Sequence, residues 1–148
     1  MAYMEKDNKS LFENERIKAF LNIKRTAGWL DHQVNEFLQP FNISEQQYNI
    51  LRILKGAKEA ITVKTVKDRM IRKSPNATRL MDKLCDKNLI ERTRCENDRR
   101  VVYVKISDSG LKLLEEIKFD KLDYRLKNIS EKEAKTLNKI LEKIINCN

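Results

Sequence analysis

Between Ala77 and Leu114 the apolar residues change their spacing twice, and this double switch limits the fold more than any other feature of the chain. Ala77, Leu80, Met81 and Leu84 recur at helical steps. From Leu89 the period becomes two: Ile90 to Arg94 and Val101 to Ile106 read as strands, with Val102, Val104 and Ile106 on one face. Ser107-Asp108 then opens a second helix, through about Lys127. Helix, hairpin and helix in direct succession describe a mainly α chain with a small β-hairpin wing, whose tip is Cys95-Glu96-Asn97-Asp98-Arg99-Arg100.

Helix-start signals set the remaining elements. Ser10-Leu11-Phe12-Glu13 has the form of a capping box, and Ile17, Phe20, Leu21, Ala27, Leu30, Val34, Phe37 and Leu38 behind it predict one long amphipathic helix, α1, ending near Pro40. Gly28 in its middle marks a bend or a close helix contact. Ser44-Glu45-Gln46-Gln47 is a second box, opening α2 with Tyr48, Leu51 and Leu54 inward and Gly56 as its stop. Ala60-Ile61 is a brief extended stretch, β1, after which Thr62 caps α3 through Met70. Ser74-Pro75 sets a capping side chain before a proline at the first helical position, so α4 is expected from there to about Asn88. The strands Ile90 to Arg94 and Val101 to Ile106 are β2 and β3, and the helix from Ser107 is α5. Ser130-Glu131-Lys132-Glu133 is a third box, opening α6 with Leu137, Ile140, Leu141, Ile144 and Ile145 on its stripe. The expected order is α1-α2-β1-α3-α4-β2-β3-α5-α6, a winged helix-turn-helix in a single domain over 1–148, with a core at 44–106 between terminal helices at 10–39 and 107–146.

Composition removes several function classes. The single histidine, His32, excludes HExxH zinc chemistry, and glycines only at 28, 56 and 110 leave no phosphate-cradling loop or dinucleotide fingerprint. Cys85, Cys95 and Cys147 are too scattered for a disulfide framework or a zinc site and read as reduced thiols. Asp82, Asp86, Glu96 and Asp98 are interleaved with arginines and do not look like a metal-binding cluster. No enzyme and no cofactor is expected. No apolar run approaches a membrane span and the amino terminus lacks a secretory pattern, so a soluble, cytoplasmic protein is expected, with no membrane partner.

The surplus charge has a place. Of the chain's net +9, a surplus of seven lies between Val63 and Lys105, where 13 cationic residues face 6 anionic ones. Positive charge concentrated on a helix-turn-helix and its wing points to double-stranded DNA. A protein-binding winged helix, a non-specific architectural DNA binder and a nuclease are the competing classes.

Gln47-Tyr48-Asn49-Ile50-Leu51-Arg52-Ile53-Leu54, Thr78-Arg79-Leu80-Met81-Asp82-Lys83-Leu84, Asp98-Arg99-Arg100 and Ser107-Asp108-Ser109-Gly110 closely resemble the MarR family of bacterial transcriptional regulators, in one register over about residues 10 to 145. Asn88 stands where the family has a glycine, and asparagine also tolerates a left-handed turn. The resemblance implies a homodimer with interlocking terminal helices, a recognition helix in the major groove, a wing in the minor groove, and control by a small ligand or oxidant.

Roles follow from side-chain chemistry. Ser74, Asn76 and Thr78, with Pro75 between, occupy the start of the recognition helix, where short polar groups and backbone N–H favour phosphate. Arg79 suits bidentate pairing with guanine, while Lys73 and Lys83 suit phosphate. On the wing, Arg94 adds charge, and either Arg99 or Arg100 enters the minor groove while Asp98 holds the other. Trp29, His32, Phe41 and Tyr48 form an aromatic concentration expected to line a pocket for a small aromatic or anionic effector, and Cys85 and Cys95 are the thiols whose oxidation would disturb DNA docking.

Overall fold

The computed structural model describes residues 14–146, with the side chains of 119–122 set aside. The capping box at Ser10 and Cys147 therefore lie outside the described residues. Contacts divide the chain into two compact units, one reaching Glu115 and one beginning at Glu116.

In the first unit α1 (Glu15–Leu38) is capped by Asn14, whose side chain accepts from the Arg16 N–H, and Pro40 sits in the 3-10 turn Gln39–Phe41 that ends it. Gly28 has no neighbour within 4 Å of where a Cβ would stand, so within the described chain it marks no close contact. Helix α2 (Glu45–Ala57) starts with the expected reciprocal box: Ser44 Oγ accepts from Gln47 N–H at 3.2 Å and Gln47 Oε1 from Ser44 N–H at 3.0 Å. It does not stop at Gly56. Lys58, with φ 60°, takes the left-handed position instead, because the stop is set by the turn that brings Ile61 to the sheet.

Strand β1 (Ile61–Thr62) is more than an extended stretch. It pairs with β3 (Val102–Ile106), which pairs on its other edge with β2 (Ile90–Arg94), so the two-stranded wing is part of a three-stranded antiparallel sheet with β3 central. Thr62 closes the edge strand and caps α3 (Val63–Arg69) through a 3.1 Å bond from Thr65 N–H.

Helix α4 (Ala77–Asp86) begins later than Ser74-Pro75 suggested. Ser74 Oγ accepts from Asn76 N–H and Ser74 O from Ala77 N–H, both at 3.2 Å, so Ser74 to Ala77 form a turn with Pro75 at its second position. The fixed φ of proline suits that position as well as a helix start, and burial of Ala77 decides where the helix begins. At the other end Asn88 adopts the left-handed conformation, φ 57°. The core assembles from Ile50, Leu51 and Leu54 of α2, Val66 of α3, Ala77, Met81 and Leu84 of α4, and Val104 of β3, all essentially inaccessible. Ser107 Oγ accepts from Gly110 N–H at 3.0 Å to start α5 (Asp108–Glu116).

The expected helix from Ser107 to about Lys127 is interrupted: after Glu116 the chain continues as a 3-10 segment, Phe119–Leu126. Leu111, Leu114 and Ile117 keep one apolar phase and Phe119, Leu122 and Leu126 another, so one continuous helix would set the second stripe off the first, and Glu115-Glu116 oppose the dipole at the α5 end. In the second unit α6 (Glu131–Ile145) opens with the expected box, Ser130 and Glu133 bonding reciprocally. No helix among the described residues is long and apolar enough to cross a membrane.

Candidate nucleic-acid interface

Helix α4 is amphipathic in the way a reading helix requires. Met81 and Leu84 are buried while Thr78, Arg79, Lys83 and Asp86 are exposed, and the Asn76 side chain makes no cap bond to the first-turn amides. Among the described residues Lys73, Arg79, Lys83, Arg94 and Arg99 have no ion-pair partner, so their charge is available to a polyanion.

Other cations in the same segment are engaged. Arg92 of β2 reaches α4: Nη1 donates to Asp82 Oδ1 and Nη2 to the Thr78 carbonyl at 3.2 Å, while its buried Nε has no partner among the described residues. It fixes the recognition helix against the wing, a positioning role that the charge count did not reveal because the count treats every arginine as free. Lys105 pairs with Glu91 across β2 and β3 at 3.0 Å, and Lys87 Nζ donates to the Asn42 carbonyl, tying the end of α4 to the α1–α2 turn.

The wing tip is a hydrogen-bonded turn. Val101 N–H donates to Asp98 O at 2.9 Å, and Asp98 Oδ1 accepts from Arg100 N–H at 3.0 Å and from Arg100 Nε at 3.4 Å. Asp98 thus orients Arg100, whose side chain is still 94% exposed, and leaves Arg99 without an ion pair among the described residues.

The loop entering α4 is held from two sides. Ile71 N–H donates to Asn49 Oδ1 of α2 at 3.1 Å, and Arg72 pairs with Asp31 of α1. Glu45, at the start of α2, stands near this pair: burial first, and then Asp31, raise its carboxyl above the ordinary value, while Arg72 opposes both. Asp31→Ala is expected to leave stability within about 1 kcal/mol, because the pair is partly exposed, but to free the loop. Amide exchange at Ile71 to Ala77 should then rise, and unchanged exchange there would show that Asn49 alone holds the segment.

The four aromatic-pocket candidates stand in different surroundings. Trp29 is half-exposed, His32 turns to Glu36 on its own helix at 3.4 Å, Phe41 tilts against Phe37, and Tyr48 is buried. Two open cavities flank α4: one of about 490 Å³ bordered by Lys64, Lys67, Thr78, Arg92 and Arg100, the other of about 520 Å³ bordered by Ser44, Gln47, Lys83 and Lys87. Neither is lined by any of the four. Burial raises the Cys85 thiol above its ordinary pKa, with Arg92 opposing and Asp82 and Asp86 adding to the rise.

A family model, the MarR family, matches residues 43–102, which span α2 through the start of β3. The multiple antibiotic resistance protein MarR of Salmonella typhimurium is 30% identical over 119 residues, covering 78% of this chain and 82% of that protein. The HTH-type transcriptional regulator MhqR of Bacillus subtilis is 24% identical over 133 residues, covering 86% and 90%. Among solved structures, a cysteine-to-serine mutant of Escherichia coli MarR complexed with operator DNA superposes with a TM-score of 0.78 at 30% identity, covering 88% of this chain and 96% of that one.

Proposed function

The chain belongs to the MarR family and is a DNA-binding transcriptional regulator, not an enzyme; from that premise we propose that it acts as a homodimeric, ligand-responsive repressor on a pseudo-palindromic operator. The observation that carries the DNA-binding geometry is the set of unpaired cations on one structural unit: Lys73 before α4, Arg79 and Lys83 along it, and Arg94 and Arg99 on the hairpin. In this reading α4, with Ser74, Pro75, Asn76 and Thr78 at its entry, lies in the major groove, and the wing with Asp98, Arg99 and Arg100 enters the minor groove.

The dimer reading is supported by exposed apolar side chains on each unit. On α1 Ile17 and Phe20 are exposed, and on α6 Leu137, Ile140 and Ile144 are about half-exposed, at helical spacing in both cases. A second copy of the chain is the occupant, since two-fold pairing brings equal stripes together. Half-sites about one helical turn apart follow from that symmetry. Sedimentation of the full chain should give a dimer without monomer at micromolar concentration, and duplexes selected from a random pool should be bound well above random duplex across a salt series. A monomer, or equal binding of selected and random duplex, overturns the reading.

The effector in this reading is a small aromatic or anionic compound near Trp29, His32, Phe41 and Tyr48. Its support is the local aromatic density and the half-exposed Trp29 indole. A panel of phenolic acids should contain one that raises the melting temperature and releases DNA; no compound doing either removes the ligand-responsive element.

A further inference from the structure

The most exposed large hydrophobic side chain of the DNA-binding core stands beside the recognition helix. Ile71 is 86% exposed, whereas the only other exposed large hydrophobic described between residues 44 and 106 is Tyr103 at 37%. Elsewhere the exposed apolar side chains lie on α1, the 3-10 segment and α6. Ile71 follows the buried Met70 and comes just before the Ser74 to Ala77 turn that starts α4.

Its backbone is fixed. Its own N–H is bound by Asn49 Oδ1, and the next residue, Arg72, is paired with Asp31, so the sec-butyl group is held outward from a clamped main chain. A β-branched side chain has few rotamers to lose, so this placement costs little further entropy on binding. Arg69, Arg72 and Lys73 surround it in sequence, and Lys73 has no ion-pair partner among the described residues. A cationic border suits a polyanion, not an apolar groove on another protein. On duplex DNA the apolar group presented in the major groove is the thymine C5-methyl.

We propose that Ile71 contacts a thymine methyl group in each half-site and makes the protein prefer thymine at that position. This rests on the regulator reading above and deepens it, adding an apolar determinant beside the polar readout assigned to Arg79. Sealing one methyl from water against Ile71 corresponds to about a fourfold change in affinity per half-site.

The test uses the full-length protein, a duplex selected from a random pool, and the same duplex with each thymine replaced singly by deoxyuridine, which lacks only the methyl. One thymine per half-site should show about a fourfold loss with the unaltered protein. Ile71→Ala changes both half-sites of the dimer together, so it should bind the thymine duplex as weakly as the unaltered protein binds a duplex with the uracil in both half-sites, and should be indifferent to the replacement. Ile71→Val should keep part of the sensitivity. Because Ile71 is exposed, melting temperatures should not move. A flat deoxyuridine series, or Ile71→Ala remaining as sensitive as the unaltered protein, overturns the inference while preference for the selected duplex keeps the regulator reading intact. Loss of that preference in the unaltered protein overturns both.

Discussion

Replacing Arg79 by alanine is expected to weaken binding to a selected duplex by about 1–3 kcal/mol and to flatten discrimination at one position of each half-site. Arg79 is exposed on α4, has no ion pair among the described residues, and sits on a helix that Arg92 fastens to the wing through Asp82 and the Thr78 carbonyl. A guanidinium delivered from a fixed helix can meet guanine O6 and N7 together, and alanine leaves both acceptors without a partner. Lys83 lies one turn further along and carries a point charge, so Lys83→Ala should weaken all sequences alike and lower the salt slope by about one for each phosphate the ammonium had neutralised. Titrations of both variants on selected and random duplexes at several salt concentrations separate the roles. If Arg79→Ala also loses affinity uniformly, with unchanged discrimination, Arg79 binds backbone and base reading lies elsewhere.

Where local chemistry decides structure, the sequence was legible. Ser44 with Gln47, and Ser130 with Glu133, form the reciprocal caps that their spacing announces, and Val102, Val104 and Ile106 alternate as a half-buried strand must. Where tertiary contacts decide, it was less so. Gly56 suits a helix stop, yet the turn needed to bring Ile61 to β3 moves the left-handed residue to Lys58. Ser74-Pro75 fits a helix start and a tight turn equally well, and the difference is made by Ala77 packing into the core. The break after Glu116 was readable as a change of apolar phase, though three- and four-residue steps persist on both sides of it. In the interface, the cations can be found by counting, but which of them are unpaired, and the division of labour between Arg79 and Arg92, cannot, since both are arginines in one basic segment and only their partners distinguish them. The exposure of Ile71 had no local signal either, because residue type alone does not tell an outward-facing isoleucine from a core one.

Gly110→Ala should be among the most damaging single-methyl changes, lowering stability by roughly 3 kcal/mol and the melting temperature by about 9 °C for a chain of this size. Gly110 does not have a positive φ, so the reason is space. A Cβ there would stand 2.3 Å from the Leu89 carbonyl oxygen and 2.7 Å from Ile106 Cγ1. The first neighbour is backbone and has no rotamer to change. That carbonyl also accepts from Ser107 N–H at 3.1 Å, and Ser107 Oγ donates to the Asn88 carbonyl at 2.6 Å, so the start of α5 is stitched to the turn joining α4 to β2. Relieving the clash must pull that turn, and with it the wing, away from the recognition helix, so DNA affinity should fall along with stability. Gly56→Ala is the matched control: nothing lies within 4 Å of its Cβ position, and alanine inside a helix should add up to about 1 kcal/mol. Thermal unfolding of the two variants, with binding measured well below both transitions, should give shifts of opposite sign. Equal melting temperatures would mean that the α5 start can move without the Asn88–Leu89 turn, and that Ser107 to Gly110 do not set the geometry of the wing.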